Sequence, residues 1–311
     1  MPQIINPSDV QYSVLLETVA GTTPTTGSRY LLPVAANQNP IAFSSADVVS
    51  NTKRPNGAKN GLQRGPKSGT GTINMPMMFS PVYSQLLEGA LRGKFTTTGT
   101  KTLKPGTTDS TFSVLQLLKP GAAGSAILST AKGSAVTKAT ISAEAGSAVN
   151  VAFDFLSSAE DQLQTDSALV PTDVLSTAYE FTGADVNSLN IAGNMTVYWK
   201  SLSLEFGQPR NNRYVLGTNV SVGNAPSDQR DVKLTIRVYR DDTWVIDTLL
   251  TGQRQAFSFN VGTAGAGYGF FIFGHASIPQ TELDSESAYV NIEVSGAYDG
   301  TGGGDIYITQ L

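Results

Sequence analysis

Hydrophobic and polar positions alternate along most of this chain. At 232–238, Val232, Leu234, Ile236 and Val238 fall on one side and Lys233, Thr235 and Arg237 on the other. A period of two is that of a strand with one buried face. At 147–155, Val149, Val151, Phe153 and Phe155 share a side, and 135–143 precedes them across Glu144-Ala145-Gly146, which predicts an antiparallel hairpin. The stretch 196–206 changes phase, with Val197 and Trp199 odd but Leu202, Leu204 and Phe206 even. A one-residue bulge near Lys200 or Ser201 would return all five to one side. Further strands are predicted at 12–18, 29–34, 41–49, 111–118, 244–250, 255–261, 268–276, 288–295 and 306–309, and 207–213 reads as a turn.

One stretch breaks this period. In 69–93, GTGTINMPMMFSPVYSQLLEGALRG, a strand runs into a short helix. Val82, Leu86 and Ala90 are four apart, as are Tyr83, Leu87 and Leu91, giving one wide apolar stripe. Ser80 stands where an N-cap hydroxyl can accept an orphan N–H, and Pro81 suits the first helical position. Gly93 is the expected left-handed C-cap. The pattern therefore predicts a β-rich, all-β chain: two packed antiparallel sheets, a β-sandwich, with one short flanking helix and a long extended loop. No linker is evident after Gly207. A single domain over 1–311 is expected, with insertions at about 94–135 and 243–287.

Charge sharpens the picture in two places. The loop 51–68 carries Lys53, Arg54, Lys59, Arg64 and Lys67, with no acid between Asp47 and Glu88. Gly, Pro and Asn punctuate it and Leu62 is its only large apolar residue, so alone it buries too little to fold. It reads as a long basic loop or hairpin tip, either an extended assembly arm ordered by a partner or a plain surface loop. From Glu144 to Asp185 there are eight acids and neither Lys nor Arg. Pairing of the basic loop with this acidic third between molecules is one use of the asymmetry; two separately solvated faces is the other.

Composition excludes several chemistries. The 311 residues carry 15% charged side chains, a net charge of −4, no cysteine and one histidine, His275. Thiolate metal sites, disulfides and Cys/His couples cannot be built. His275 lies in the strand FFIFGHAS, where a structural role is expected. The sequence 61–68, GLQRGPKS, misses the phosphate-loop spacing and puts Pro66 where an N–H would face a phosphate. GTAGAG at 262–267 has the wrong order for a dinucleotide fingerprint. Acid neighbours such as Glu160-Asp161 point to opposite faces of a strand. No enzyme, cofactor or metal is expected. The opening residues lack a signal peptide's basic and apolar regions, and no run reaches the roughly 18 apolar residues of a membrane span. A protein made in a cytoplasm and soluble until it meets its partners is expected.

The order of features is nonetheless specific. ETVAGTTPTTG ends the first strand, the basic loop follows, and then comes the strand–helix unit at 69–93. Later come VNSLNIAGNMTVYWKSLSLEFGQPRNNRYVLGT and VKLTIRVYRDD. This arrangement resembles the major tail tube proteins of long, non-contractile-tailed bacteriophages, over the first hundred residues and 181–242. The resemblance implies a structural virion protein of the phage tail. Six copies would form a ring, with inner strands joining a barrel, and rings would stack into the tube through which the genome passes into the host. It implies assembly in the host cytoplasm and contacts with tape measure, tail terminator and baseplate or distal tail proteins. Double-stranded DNA would pass without specific binding. On this analogy 51–68 is the reaching arm, and Val82, Tyr83, Leu86, Leu87 and Leu91 seat the flanking helix. A DNA channel should avoid cationic phosphate contacts, which nominates Glu144, Asp154 and Glu205 as lumen-facing acids; ordinary solvated positions are the alternative, and Lys200 on the same strand as Glu205 opposes the idea. The other readings are a related injection-machine tube component and, in a different class, a carbohydrate-binding or adhesive β-sandwich; such modules show exposed aromatics on one face, whereas Trp199 and Trp244 sit at alternating strand positions that read as buried.

Overall fold

The computed structural model describes residues 10–34, 41–50, 52, 54–56, 61–118, 127–165, 172–193, 197–240, 252–277, 280–283, 287–299 and 304–311. In chain order the strands are β1 (Val10–Leu16), β2 (Ser28–Leu31), β3 (Ala42–Val49), β4 (Leu62–Pro76), β5 (Thr102–Leu103), β6 (Phe112–Leu118), β7 (Ile127–Glu144), β8 (Asn150–Ser157), β9 (Ala159–Thr165) and β10 (Thr172–Leu175). The second half supplies β11 (Val186–Ile191), β12 (Trp199–Gly207), β13 (Arg210–Arg213), β14 (Gly223–Pro226), β15 (Asp231–Tyr239), β16 (Arg254–Thr263), β17 (Ala266–Ala276), β18 (Gln280–Leu283), β19 (Ala288–Gly296) and β20 (Ile306–Gln310). The helix α1 is Pro81–Leu91. The strand expected at 244–250 lies outside the described residues.

Long β7 joins two sheets. Its first half pairs with β6 and β9, next to β1, β2 and β10. Its second half lies between β8 and β12 in a larger sheet that runs β3–β4–β8–β7–β12–β15–β19 and continues into β17, β16 and β11. The pairings are antiparallel except β2 with β10. β13 and β14 form a separate ribbon. At the change of sheet sits Gly133, at φ +59, where an added Cβ would fall 2.0 Å from Ser158 Oγ. Its N–H donates to the buried Glu17 carboxylate at 2.9 Å. A residue with a side chain would meet both strain and a clash there.

The expected alternations are present. Val232, Leu234, Ile236 and Val238 are buried, as are Val149, Val151, Phe153 and Phe155. The β12–β15 register slips between Trp199 and Ser201, so the bulge falls at Lys200. Leu202, Leu204 and Phe206 are buried, and Trp199 is half-buried against Phe259 at 6.2 Å between ring centroids. The 135–143 arm of the hairpin is the end of a strand that starts at Ile127. Residues 210–213, expected within a turn, are the strand β13; Arg210 is buried there beside Asp109, its Nη2 2.7 Å from the carboxylate.

The helix packs on β7 and β12, with Val82, Tyr83, Leu86, Leu87, Gly89, Ala90 and Leu91 buried. Its other side reaches β17 and β20, where Ser84 Oγ lies 2.9 Å from Tyr268 OH and accepts from Gln310 Nε2 at 3.0 Å. Tyr83 OH donates to the Pro76 carbonyl. The caps differ from expectation. Ser80 occupies the N-cap, yet its hydroxyl makes no capping bond. The left-handed residue is Arg92, at φ 53, and not Gly93. Arg92 is held there by bonds from Nε to Asp109 Oδ1, from Nη1 to Gln208 Oε1 and from Nη2 to the Thr107 carbonyl. Gly93 serves close approach instead: a Cβ on it would lie 2.1 Å from the Lys104 carbonyl oxygen.

Candidate assembly surfaces

The basic segment is an arm with a built base. Strand β4 pairs with β3 from Thr70, opposite Ala42, out to Leu62, opposite Val49. Only 50–61 is left to connect them. Residues 62–68 are therefore strand, so of the loop or hairpin tip expected over 51–68 this part belongs to the hairpin's second arm. A glycine-rich run can pair because β3 supplies the ladder; at Gly69 the Phe43 ring fills the space a Cβ would take. Arg54 and Arg64 are exposed and Lys67 is half-buried, while Lys53 and Lys59 fall outside the described residues. The loop after β13 braces the same strand. Asn219 O accepts from Lys67 N at 2.9 Å, Tyr214 OH donates to Lys67 O at 2.8 Å, and Asn219 Nδ2 donates to Arg64 O at 3.2 Å. No local pattern signals this bracing, because it links residues about 150 positions apart.

A second surface is the polar outer face of β8, β7, β12 and β15. Lys138 Nζ stands 3.6 Å from Asp154 Oδ2 and 3.9 Å from Glu205 Oε2. Glu205 is opposite Lys233 in register, and Lys233 Nζ is 3.5 Å from Glu293 Oε2. Thr72 Oγ1 donates to Asp154 Oδ1 at 2.6 Å. Carboxylates and ammonium groups thus alternate across neighbouring strands, with short Ser and Thr side chains between them. Two of the three nominated acids, Asp154 and Glu205, meet here around Lys138. Glu144 lies on the same side of β7 but at its far end, exposed, opposite Ser201. The lysines come from β7 and β15, where period-two reading places Lys233 outward but cannot place it beside Glu293.

Elsewhere in the larger sheet Phe271 stacks on Tyr307 across β17 and β20, with ring centroids 4.5 Å apart. Both are half-buried, as is Phe273, beside a groove of about 350 Å³. His275 is exposed and its Nε2 accepts from Arg254 Nε at 3.3 Å. Burial raises the Tyr268 hydroxyl to about 12, with the bonds to Ser84 and Ser80 partly opposing the rise. Burial, followed by the neighbouring Tyr268 and Glu180, raises Tyr83 further. Both hydroxyls belong to buried core side chains. Among the described residues no group of His, Asp and Glu is placed to hold a metal ion. Among the described residues no helix is long and apolar enough to cross a membrane.

These surfaces can bind and pair. Compared with known families, the chain matches the family model described as phage tail tube protein, over residues 7–309. A search of curated proteins returns no match.

Proposed function

The chain belongs to the phage tail tube protein family, and from that premise we propose that it builds the tail tube of a long, non-contractile phage tail as stacked hexameric rings. It is a structural protein of the virion tail. In our reading it acts by assembly alone, as one domain over 1–311 assembled in the host cytoplasm. It meets tape measure, terminator and distal tail proteins at the tube's ends. The match over 7–309 carries the reading.

Two structural features support it. Strand β3 pairs only with β4 among the described residues, so its other edge is open to a neighbouring subunit. Open edges are liabilities that ring closure removes. The polar face around Lys138 suits a channel for DNA: each lysine there already faces a carboxylate, so fewer cations are free to hold phosphates. We assign Asp154 and Glu205, with Lys138 and Lys233, to the lumen. The 51–68 arm reaches an adjoining ring, and α1 stiffens the wall behind the sheet.

Sedimentation at rising concentration tests the assembly: discrete ring-sized and longer species support it, and a single monomer species at all concentrations, with or without a nucleating tail tip, overturns it. The stacked Phe271 and Tyr307 favour a second reading, an adhesive face for carbohydrate on the outside of the tube. Binding of soluble glycans that is lost in Tyr307→Ala would support it.

A further inference from the structure

We propose that the turn at 214–222 is the knob by which one ring docks on the next, and that a second copy of this chain receives it in the cleft beside Trp199. The proposal rests on the tube reading and names its stacking contact.

The knob is unusual for a solvated turn. Tyr214, Val215, Leu216, Val220 and Val222 are all exposed, Leu216 fully at 103% and Val222 at 63%. Apolar residues concentrated in this way mark an interaction surface. The turn is also held in place. Besides its bonds to β4, Val222 N donates to Arg213 O at 2.9 Å and Ser221 Oγ to the same carbonyl at 3.0 Å. It is presented on a braced base, so less ordering entropy is lost on docking. Arg64 and Arg213, both exposed, flank it.

The complementary site lies at the other end of the same strands. Gly69 is opposite Ser157 and Pro76 opposite Asn150, so β4 runs from the knob towards the β7–β8 turn. Beside that turn is a cleft of about 140 Å³ lined by Ala143, Val186, Leu189, Trp199 and Leu202. Trp199 Nε1 is out of contact with solvent and has no acceptor among the described residues. Glu144 on its rim is exposed, and it complements the arginines of the knob, with Lys200 opposing it from the same lining. A knob at one end and a cleft at the other make a heterologous contact that propagates without closing, as a stack requires.

The test uses two surface variants of the full chain, Leu216→Asp in the knob and Glu144→Arg at the cleft, each first shown to melt as the wild type does. Electron microscopy should find long tubes for the wild type and none for either variant. After separate purification and mixing, the intact cleft of one variant can take the intact knob of the other once, so the mixture should stop at two layers. Full-length tubes from either variant, or long tubes from the mixture, would overturn the contact while leaving the tube reading in place. Wild-type protein that never assembles would overturn the reading beneath it.

Discussion

Arg92 donates from Nε to Asp109 Oδ1 at 2.7 Å, and Arg210 Nη2 approaches the same oxygen at 2.7 Å. One carboxylate thereby holds the left-handed end of α1 and the buried start of β13. The carbonyls of Leu91 and Arg92 accept from Gly106 N and Thr108 N, closing the helix end against the same loop.

Burial raises the Asp109 carboxyl, but the hydrogen bonds and charges of Arg92 and Arg210 outweigh it, and its pKa is lowered from 3.8. A depressed folded-state value means that the carboxylate's contribution is complete above the unfolded value and is lost as the pH falls through the folded one. Asp109→Asn should cost about 2 kcal/mol at neutral pH, because it strands the buried Arg210 while Asp109 itself stays partly solvated. Its stability should also fall less steeply than the wild type's below pH 3.8. Urea titrations at neutral and acid pH check both.

Leu87 is fully buried in α1. Leu87→Ala should destabilise the subunit by about 2–5 kcal/mol through lost burial and the cavity left behind. Exposed Leu216→Ala should cost under about 0.5 kcal/mol. Thermal melts of the two monomeric variants make the comparison.

Removing the arm's connection, residues 51–60, should leave a folded subunit, since β4 keeps β8 as its second partner. Circular dichroism should stay wild-type while tubes fail to lengthen in electron micrographs. Tubes of normal length would take the arm out of the stacking mechanism.

Asp154→Asn with Glu205→Gln should make the proposed lumen cationic by freeing Lys138. Tubes of the double variant should retain double-stranded DNA at low salt and release it as salt rises, with a steeper dependence than the wild type. Equal retention would place this face outside the channel.

The elements legible in the sequence were those fixed by local pattern. The alternation at β15, the hairpin of β7 and β8, the bulge at Lys200 and the apolar stripe of α1 each follow from side-chain periodicity over a few residues. What was hidden depends on distant partners. The first part of β4, 62–68, reads as loop or hairpin tip until β3 and the bonds of Tyr214 and Asn219 to Lys67 and Arg64 are present, whereas 69–76 reads as strand from the sequence alone. The left-handed cap falls on Arg92 because Asp109, Gln208 and Thr107 hold its guanidinium, and Gly93 is reserved for the approach of Lys104. The nominated acids were found by their outward positions, but the lysines that balance Asp154 and Glu205 come from other strands, and only register brings them together.

In the function proposed above, this chain closes into a hollow tube around DNA. Cryo-electron microscopy of the purified protein, concentrated and offered a nucleating tail tip, tests it most directly. The account predicts stacked six-fold rings with Lys138, Asp154 and Glu205 facing an open channel. Single subunits throughout, or a closed assembly without a channel, would contradict it.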